Sequence, residues 1–265
     1  MREDGRMLQF PDVLRTWRKA RRFSQLDLAM EAGVSPKHLS FLETGRARPS
    51  PEMIERLGDA LCVPLTARNQ MLTLAGFATR YAARSWDAEE MLPFRAAVEY
   101  TLERHAPYPG FAVDRLWMVT TMNAPARHLF GALGVRVGGS LLDLLASGEL
   151  EAHVENWVDV AHHAALRLRT ESAAQGGVPR LDEVAEALSR ARGRLARPTA
   201  AVLPTILRVG AARLSLFATL SQFGTPEDLT LDELKLELYF PSDRASDSLL
   251  RAMSAATSLP PSPSP

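Results

Sequence analysis

The sequence is short of cysteine, of long apolar runs and of net charge. Cys62 is the single cysteine among 265 residues, which excludes an intrachain disulfide and a multi-cysteine metal site. Its context, ALCVPL, predicts a small core residue at a helix end. No apolar run approaches the roughly 20 residues that span a bilayer. The opening MREDGRMLQF is polar and lacks the apolar segment of a secretion signal. These absences predict a cytoplasmic protein.

Sequence patterns typical of enzymes are also lacking. No two histidines have the i, i+4 spacing of a zinc-binding H-E-x-x-H helix, and the nucleophile and phosphate-loop motifs G-x-S-x-G, G-x-x-x-x-G-K and G-x-G-x-x-G are missing. The adjacent His162 and His163 point to different sides of one predicted helix, one exposed and one half-buried. We therefore expect a protein that is not an enzyme and that carries no metal or cofactor.

The zero net charge conceals an asymmetry along the chain. Residues 1–80 hold 13 of the 31 basic and 9 of the 31 acidic residues, so that their net charge is +4 and that of the remainder is −4. A length of 265 residues favours two domains. The excess positive charge therefore lies in the N-terminal one.

Five short helical patterns follow one another between residues 10 and 76, which is enough for a complete small domain. The first, FPDVLRTWRKARR, has one apolar face. Serines stand where the next helices begin, in two cases directly before proline, and glycines stand where helices end. The predicted capping serines are Ser24, Ser35 and Ser50.

The stretch SQLDLAMEAGVSPKHLSFLETGRARPSP satisfies several geometric requirements at once. Two helices that cross closely need a small residue on the first helix, here Ala29. The turn that follows needs a residue tolerant of positive φ, here Gly33. Apolar residues bury the inner faces at Leu28, Ala32, Val34, Leu39 and Leu42. This pattern predicts a DNA-binding helix-turn-helix. An ordinary helical hairpin, the alternative, would satisfy only one or two of these requirements by chance.

The segment LRTWRKARRFSQLDLAMEAGVSPKHLSFLETGRARPS resembles the Cro/repressor-type (Xre) helix-turn-helix family over its whole core. The resemblance implies that residues 35–44 form a recognition helix in the major groove. It also implies a homodimer on a pseudo-palindromic operator in double-stranded DNA. The outward positions of the recognition helix are then Ser35, Pro36, Lys37, His38, Ser40, Phe41 and Thr44.

The family pattern points to Pro36, Lys37 and Phe41 as base readers. Lysine suits the O6 and N7 acceptors of guanine, and phenylalanine suits thymine methyl groups. Gln25 and Ser35, at helix N-termini, are predicted to contact phosphates. Further backbone contacts are expected from arginines, for which a solvated basic face is the alternative: Arg18, Arg22, Arg46 and Arg48.

The pattern changes after a helical stretch at 80–105, in which Pro93 is the predicted break. Two β-rich runs, Gly110–Val113 and Leu116–Met122, precede helices that start after Asn123 and after Ser140. Helices are also predicted over 150–169 and in LDEVAEALSRAR. The strand patterns TILRV, RLSLFATLSQFG and LKLELYF follow. The second domain is therefore predicted to be α+β.

Residues 80–252 are similar to the MmyB-like ligand-binding domain, whose opening resembles a PAS-type sensor fold. The similarity rests on HAPYPGFAVDRLWMVTTMNAPARHLF, GGSLLDLL and RLSLFATLSQFGTPEDLTLDELKLELYFPSD. It implies a mostly apolar pocket, in some members suited to a fatty-acyl chain. Met122 replaces the family's usual tryptophan before Asn123. The candidate pocket residues are Phe111, Trp117, Met122, Asn123, Arg127, Phe130, Trp157, His162, Phe217 and Phe223, among which Asn123, Arg127 and His162 are the polar candidates.

These inferences divide the chain into a flexible N-terminus (1–9), a five-helix DNA-binding domain (10–79), a helical connector (80–105), a PAS-like ligand-binding domain (106–252) and a disordered tail (253–265). The expected function is a bacterial transcription regulator whose second domain senses a small apolar, fatty-acid-like molecule. The connector is expected to couple ligand binding to DNA binding. The alternative is a second domain without a ligand, which serves as a dimerisation or protein-interaction module.

Overall fold

The structure is a computed structural model that describes residues 8–191, 202–224 and 226–257. It divides into two compact units. The first comprises the chain up to Ala83 together with Thr170–Val178 and Pro226–Leu229, and the second comprises the rest. Among the described residues, no helix is both long enough and apolar enough to cross a membrane.

The chain up to Ala83 folds as the five predicted helices. They are α1 (Phe10–Ala20), α2 (Gln25–Glu31), α3 (Pro36–Thr44), α4 (Pro51–Ala60) and α5 (Leu65–Leu74). The hydroxyls of Ser24, Ser35 and Ser50 each accept a hydrogen bond from the backbone N–H three residues later, which satisfies a donor that a helix N-terminus leaves open. The predicted all-α fold of this domain is confirmed.

One hydrophobic core holds the five helices together. Each helix contributes at least one fully or nearly fully buried side chain, represented by Leu14, Leu28, Leu39, Ile54 and Met71. The prediction for Cys62 is wrong. This residue is exposed and has a φ of 47°, because it turns the chain out of α4 while Leu61 and Val63 on either side enter the core.

The rest of the chain combines helices with one antiparallel sheet. The strands are β1 (Gly110–Val113), β2 (Val119–Met122), β3 (Thr205–Val209), β4 (Ala212–Ser221) and β5 (Lys235–Pro241), in the spatial order β2-β1-β5-β4-β3. The helices are α6 (Leu92–Arg104), α7 (Ala124–Gly131), α8 (Leu141–Ser147), α9 (Trp157–Ala174), α10 (Pro179–Leu188), α11 (Leu229–Asp232) and α12 (Arg244–Thr257). The predicted α+β, PAS-like class is confirmed.

Several predicted helix limits are wrong. The helix expected over 80–105 begins only at Leu92, and Pro93 lies in its first turn, where its missing N–H costs nothing, rather than at a break. The helix expected over 150–169 begins at Trp157 and is preceded by a 3₁₀ turn at Glu149–Ala152.

The C-terminal boundary also differs from the prediction. Helix α12 was not predicted, and it runs through the first five residues of the expected tail. Its amphipathic sequence follows a strand directly and leads into a Pro/Ser-rich end. The remainder of that tail and residues 1–7 of the expected flexible N-terminus lie outside the described residues.

Successive side chains of β1 and β5 point to opposite faces of the sheet, and the two faces differ in their surroundings. Ala112 and Leu236 pack with Val98 and Leu102 of α6 in one cluster, and most of the predicted connector belongs to the second unit. The opposite face carries Phe111, which lies across from Glu237 in the strand register.

Candidate nucleic-acid interface and ligand cavity

The helix-turn-helix is formed by α2, the turn at Gly33 and α3. Ala29 is fully buried where the two helices meet, and Gly33 adopts a φ of 63°, a conformation that glycine takes at little cost. Leu39 and Leu42 are fully buried on the inner face of α3. The side of α3 that faces away from this core is therefore open to solvent.

The predicted outward positions of α3 are exposed or half-buried. Pro36, Lys37 and Thr44 are exposed, and His38, Ser40 and Phe41 are half-buried. The Lys37 ammonium lies 5.8 Å from the centroid of the Phe41 ring, one turn further along. The two side chains form a cation–π pair, which places a positive charge beside an aromatic ring at this surface.

Other predicted DNA contacts differ in their surroundings. Arg22, Arg46 and Arg48 are exposed, so their phosphate contacts stay predictions. The hydroxyl of Ser35 accepts a hydrogen bond from the His38 N–H, 3.1 Å away, as the N-terminal cap of α3.

Arg18 and Gln25 are bound inside the domain by Glu43, which is only 2% exposed. The Arg18 guanidinium donates to both Glu43 carboxylate oxygens, at 2.5 and 3.0 Å, and to the Phe23 carbonyl, at 2.9 Å. The Gln25 amide donates to Glu43 Oε2 at 2.6 Å. We therefore reassign Arg18 and Gln25 from phosphate contacts to holding α1 and α2 against the recognition helix. Sequence reasoning missed Glu43. The pattern that could have indicated it is a carboxylate directly after the buried Leu42 near the end of α3.

These contacts shift the pKa values of both Glu43 and Arg18. Burial alone would raise the pKa of Glu43, but the hydrogen bonds from Arg18 and Gln25 and the charge of Arg18 lower the pKa overall. The same hydrogen bond to Glu43 raises the pKa of Arg18. The pair is therefore ionised throughout the neutral range and fixes the orientation of α3.

A cavity of about 130 Å³ lies within the second unit. Its wall is mostly aliphatic and aromatic and comes from β1, β3, β5 and helices α7 to α9 with their connecting loops. The lining residues are Phe111, Trp117, Phe130, Leu133, Val135, Leu141, Leu144, Leu145, Leu150, Val154, Trp157, Val160, Thr205, Leu207, Glu237 and Tyr239.

Three aromatic rings form one wall of this cavity. The centroids of Phe130 and Tyr239 are 4.8 Å apart, and those of Phe111 and Phe130 are 5.9 Å apart, both pairs edge to face. Such pairs add stability beyond the area they bury. The wall is therefore formed by closely packed aromatic rings.

Trp117 enters the cavity from a constrained turn. Its φ of 60° is unusual for a bulky side chain. Asp114 holds the turn, since its carboxylate accepts hydrogen bonds from the N–H groups of Leu116 and Met118 at 2.9 Å each. The turn shortens the strand predicted to begin at Leu116, which starts only at Val119.

Four of the ten predicted pocket residues line the cavity, namely Phe111, Trp117, Phe130 and Trp157, and the other six do not. Met122 is buried on β2, and Arg127 and His162 are exposed. His163 is exposed as well, so the expectation of one half-buried histidine is wrong. Phe217 stacks on Phe240 at 5.6 Å, and Phe223 packs against the cluster around α6.

Asn123 has a structural position rather than one in the cavity wall. Its Oδ1 accepts from the N–H groups of Gly110 and Ala126, and its Nδ2 donates to the carbonyls of Leu102 and Tyr108, at distances of 2.9 to 3.0 Å. This buried side chain caps α7 and joins it to β1 and to the end of α6. Because these four bonds occupy both the oxygen and the nitrogen of the amide, we reassign Asn123 from ligand contact to helix cap.

The sequence reasoning missed the polar residues at the cavity. Glu237 and Tyr239 are two residues apart on β5 and therefore face the same side, and Arg167 of α9 pairs with Glu237 at 2.7 Å. A charged residue inside the apolar run LKLELYF was the available signal. Within the described ranges, no group of three or more His, Cys, Asp or Glu side chains is placed to hold a metal ion.

Comparison with known families finds two matching domains. Residues 9–71 match a helix-turn-helix domain, and residues 94–253 match the MmyB-like transcription regulator ligand binding domain. The chain is thus a DNA-binding transcription regulator with a ligand-binding domain. Because the second match covers more than half of its length, the chain belongs to the family of MmyB-like transcription regulators. A search of the curated proteins found no match.

Proposed function

We propose that this regulator binds a pseudo-palindromic operator as a homodimer and reads sequence mainly with Pro36, Lys37 and Phe41. The observation that supports this proposal is the Lys37–Phe41 pair on the solvent side of α3. A lysine ammonium next to a ring suits a guanine beside a thymine, whose acceptors and methyl group meet in the major groove.

The variant Lys37→Ala tests this proposal, with Arg46→Ala as the matched loss of one positive charge outside the helix. Binding to a panel of operators with single base changes is measured at several salt concentrations. If Lys37 reads guanine, Lys37→Ala weakens binding by about 1–3 kcal/mol and relaxes preference at one position. A uniform loss across the panel, with a salt slope lower by roughly one, makes Lys37 a phosphate contact and refutes base reading.

We propose further that a small apolar effector binds the cavity and changes the affinity for DNA by favouring one conformation of the regulator. The apolar aromatic wall supports this reading, since effector pockets are concave and mostly apolar with a few polar groups. It also weighs against the alternative in which the second domain only mediates protein contacts. The proposed cellular location is the cytoplasm, where the operator is.

Mass spectrometry of an organic extract tests the effector proposal. The protein is purified from its own host, and a variant with Leu207→Trp, which fills the cavity, serves as the control. A discrete small molecule in the wild-type extract that the variant lacks supports the proposal. Equal amounts of that molecule in both extracts place its binding site elsewhere and contradict it.

A further inference from the structure

Helix α9 contributes residues to both units of the chain. Its residues up to Arg169 belong to the second unit, whereas Thr170–Val178, which comprise the end of α9 and the turn after it, belong to the first. Two residues of its first turn, Trp157 and Val160, line the apolar cavity. One continuous helix therefore begins at the proposed effector site and ends in the unit that contains the helix-turn-helix.

The cavity wall contacts α9 a second time, at Arg167. The Arg167 guanidinium lies 4.4 Å from the centroid of the Trp117 ring, and its Nη2 pairs with Glu237 Oε1 at 2.7 Å. Trp117 and Glu237 both line the cavity. Because a buried carboxylate is strongly destabilised when its partner moves away, the positions of Arg167 and of these two wall residues depend on one another.

The other end of α9 contacts α1. Arg21 Nη2 donates to the carbonyl of Ala174, the last residue of α9, at 3.3 Å, and satisfies an acceptor that a helix C-terminus leaves open. Gly176, in the turn that follows, lies against Trp17, since a Cβ added to this glycine would be 2.6 Å from Cζ2 of the indole ring. The ring is buried in the core of the first unit and has little space to move. A shift at the end of α9 therefore acts on α1.

Helix α1 in turn contacts the recognition helix. Arg18, the residue after Trp17, donates to both carboxylate oxygens of Glu43 near the end of α3. Arg167 and Ala174 are seven residues apart on α9, about 10 Å along the helix axis. Each step from the cavity to α3 is thus a direct contact or part of one helix. Packed helices shift as units because their interfaces have few discrete arrangements.

We propose that α9 transmits the occupancy of the cavity to the recognition helix. Arg167 is its positioning residue at the cavity, and the contact of Gly176 with Trp17 is where it acts on the DNA-binding domain. A molecule that moves either wall residue changes how Arg167 is bound and shifts the end of α9 against α1. The inference rests on the proposed effector function of the cavity. It assigns the coupling to α9 instead of residues 80–105, most of which belong to the second unit.

A double-mutant cycle on the full-length protein tests this coupling without a ligand. Arg167→Met removes the charge that the cavity wall binds, and Gly176→Ala introduces a methyl group for which Trp17 leaves no space. The affinity for an operator selected from random DNA is measured by fluorescence anisotropy. Arg167→Met should change this affinity about fivefold or more. The effect should disappear in the Gly176→Ala background, because the contact that carries it is already displaced.

The chain offers a matched control for each substitution. Arg169→Met removes a positive charge from the same helix, but Arg169 pairs with Glu186 of α10, and the operator affinity should stay unchanged. Gly177→Ala adds the same methyl group at a similar φ, 99° against 83° at Gly176, where no described atom beyond its chain neighbours lies within 4 Å. The effect of Arg167→Met should persist in the Gly177→Ala background.

A second measurement follows the contact at Trp17 directly. In protein labelled with fluorotryptophan, the fluorine resonance of Trp17 is assigned with Trp17→Phe. Arg167→Met should shift or broaden this resonance, and Arg169→Met should not. If Gly176→Ala does not fold, Arg21→Met, which loses the bond to the Ala174 carbonyl, takes its place in the cycle. If Arg167→Met does not fold, Arg167→Lys, which keeps the charge but loses the planar stacking group, replaces it.

Three results would overturn the proposed role of α9. They are an operator affinity that Arg167→Met leaves unchanged, additive effects of Arg167→Met and Gly176→Ala, and a Trp17 resonance that does not respond to Arg167→Met. The effector function of the cavity is decided separately, by the mass-spectrometric comparison with Leu207→Trp. A failure of the effector proposal is therefore distinguishable from a failure of α9 as the coupling element.

Discussion

Each of the two sites of this regulator contains one buried carboxylate. Glu43 accepts hydrogen bonds from side chains of two other helices of the DNA-binding domain, and Glu237, which accepts a hydrogen bond from Tyr239, is a lining residue of a mostly apolar cavity. Both carboxylates are nearly inaccessible to solvent. In each case an arginine compensates the buried charge, so that removing one partner leaves the other in an unfavourable environment.

Glu43→Ala should lower the free energy of unfolding by about 3 kcal/mol, because it leaves Arg18 buried without its partner. Urea denaturation measures this change. The exposed Glu31→Ala on α2 is the control and should stay within about 0.5 kcal/mol of the wild type. If the two substitutions lower the free energy of unfolding equally, the Arg18–Glu43 pair does not stabilise the fold more than an exposed glutamate does.

The lowered pKa of Glu43 predicts a dependence of stability on pH. A carboxyl whose pKa is lower in the folded state stabilises the fold fully above its unfolded pKa of about 4.3, and this contribution is lost as the pH falls through the folded value. The urea midpoint of the wild type should therefore fall more steeply below about pH 4.3 than that of Glu43→Gln. Parallel curves for the two proteins between pH 3 and 6 would contradict this assignment.

At the scale of elements, the sequence predicted what depends on local spacing. The caps at Ser24, Ser35 and Ser50 and the turn at Gly33 were correct because each depends on neighbouring residues only. The existence of α12 was not predicted, since its position depends on packing against β4 and β5, and the start of α9 was not predicted either, since a 3₁₀ turn precedes it. Only some of the residues that line the cavity were predicted. Glu237 was not among them, because it reaches the cavity through the pairing of β5 with β1, which places it beside Phe111, a residue 126 positions earlier in the chain.

Asn123 links three elements of the second domain, and its loss should therefore cost more than that of an ordinary helix cap. Asn123→Ala removes four hydrogen bonds, three of them buried, and should destabilise the domain by about 3 kcal/mol or more. Ser140→Ala removes the single capping bond of α8 and should cost about 1 kcal/mol. Thermal unfolding compares the two variants, and equal losses would mean that Asn123 acts only as a cap.

At the scale of the whole molecule, composition and charge predicted two domains of different character, one basic and one acidic. The helix-turn-helix could be predicted from sequence because its geometry restricts residue types within some 20 positions. The cavity could not be predicted to the same depth, since its lining residue Glu237 on β5 is held by Arg167 of α9, 70 positions earlier in the chain. Contacts of that range follow from the fold and leave little trace in any local pattern.

The proposed dimer on a pseudo-palindrome predicts a strict dependence of binding affinity on the spacing of operator half-sites. The half-sites should lie about 10 base pairs apart, or a multiple of this, so that both recognition helices meet the same side of the duplex. Inserting about five base pairs rotates one half-site to the opposite side and should weaken binding by tenfold or more, to the level of DNA with one half-site. The measurement uses an operator selected from random DNA, together with sedimentation of the complex, which should contain two chains per site. Unchanged affinity after the insertion would show that each chain binds its half-site independently.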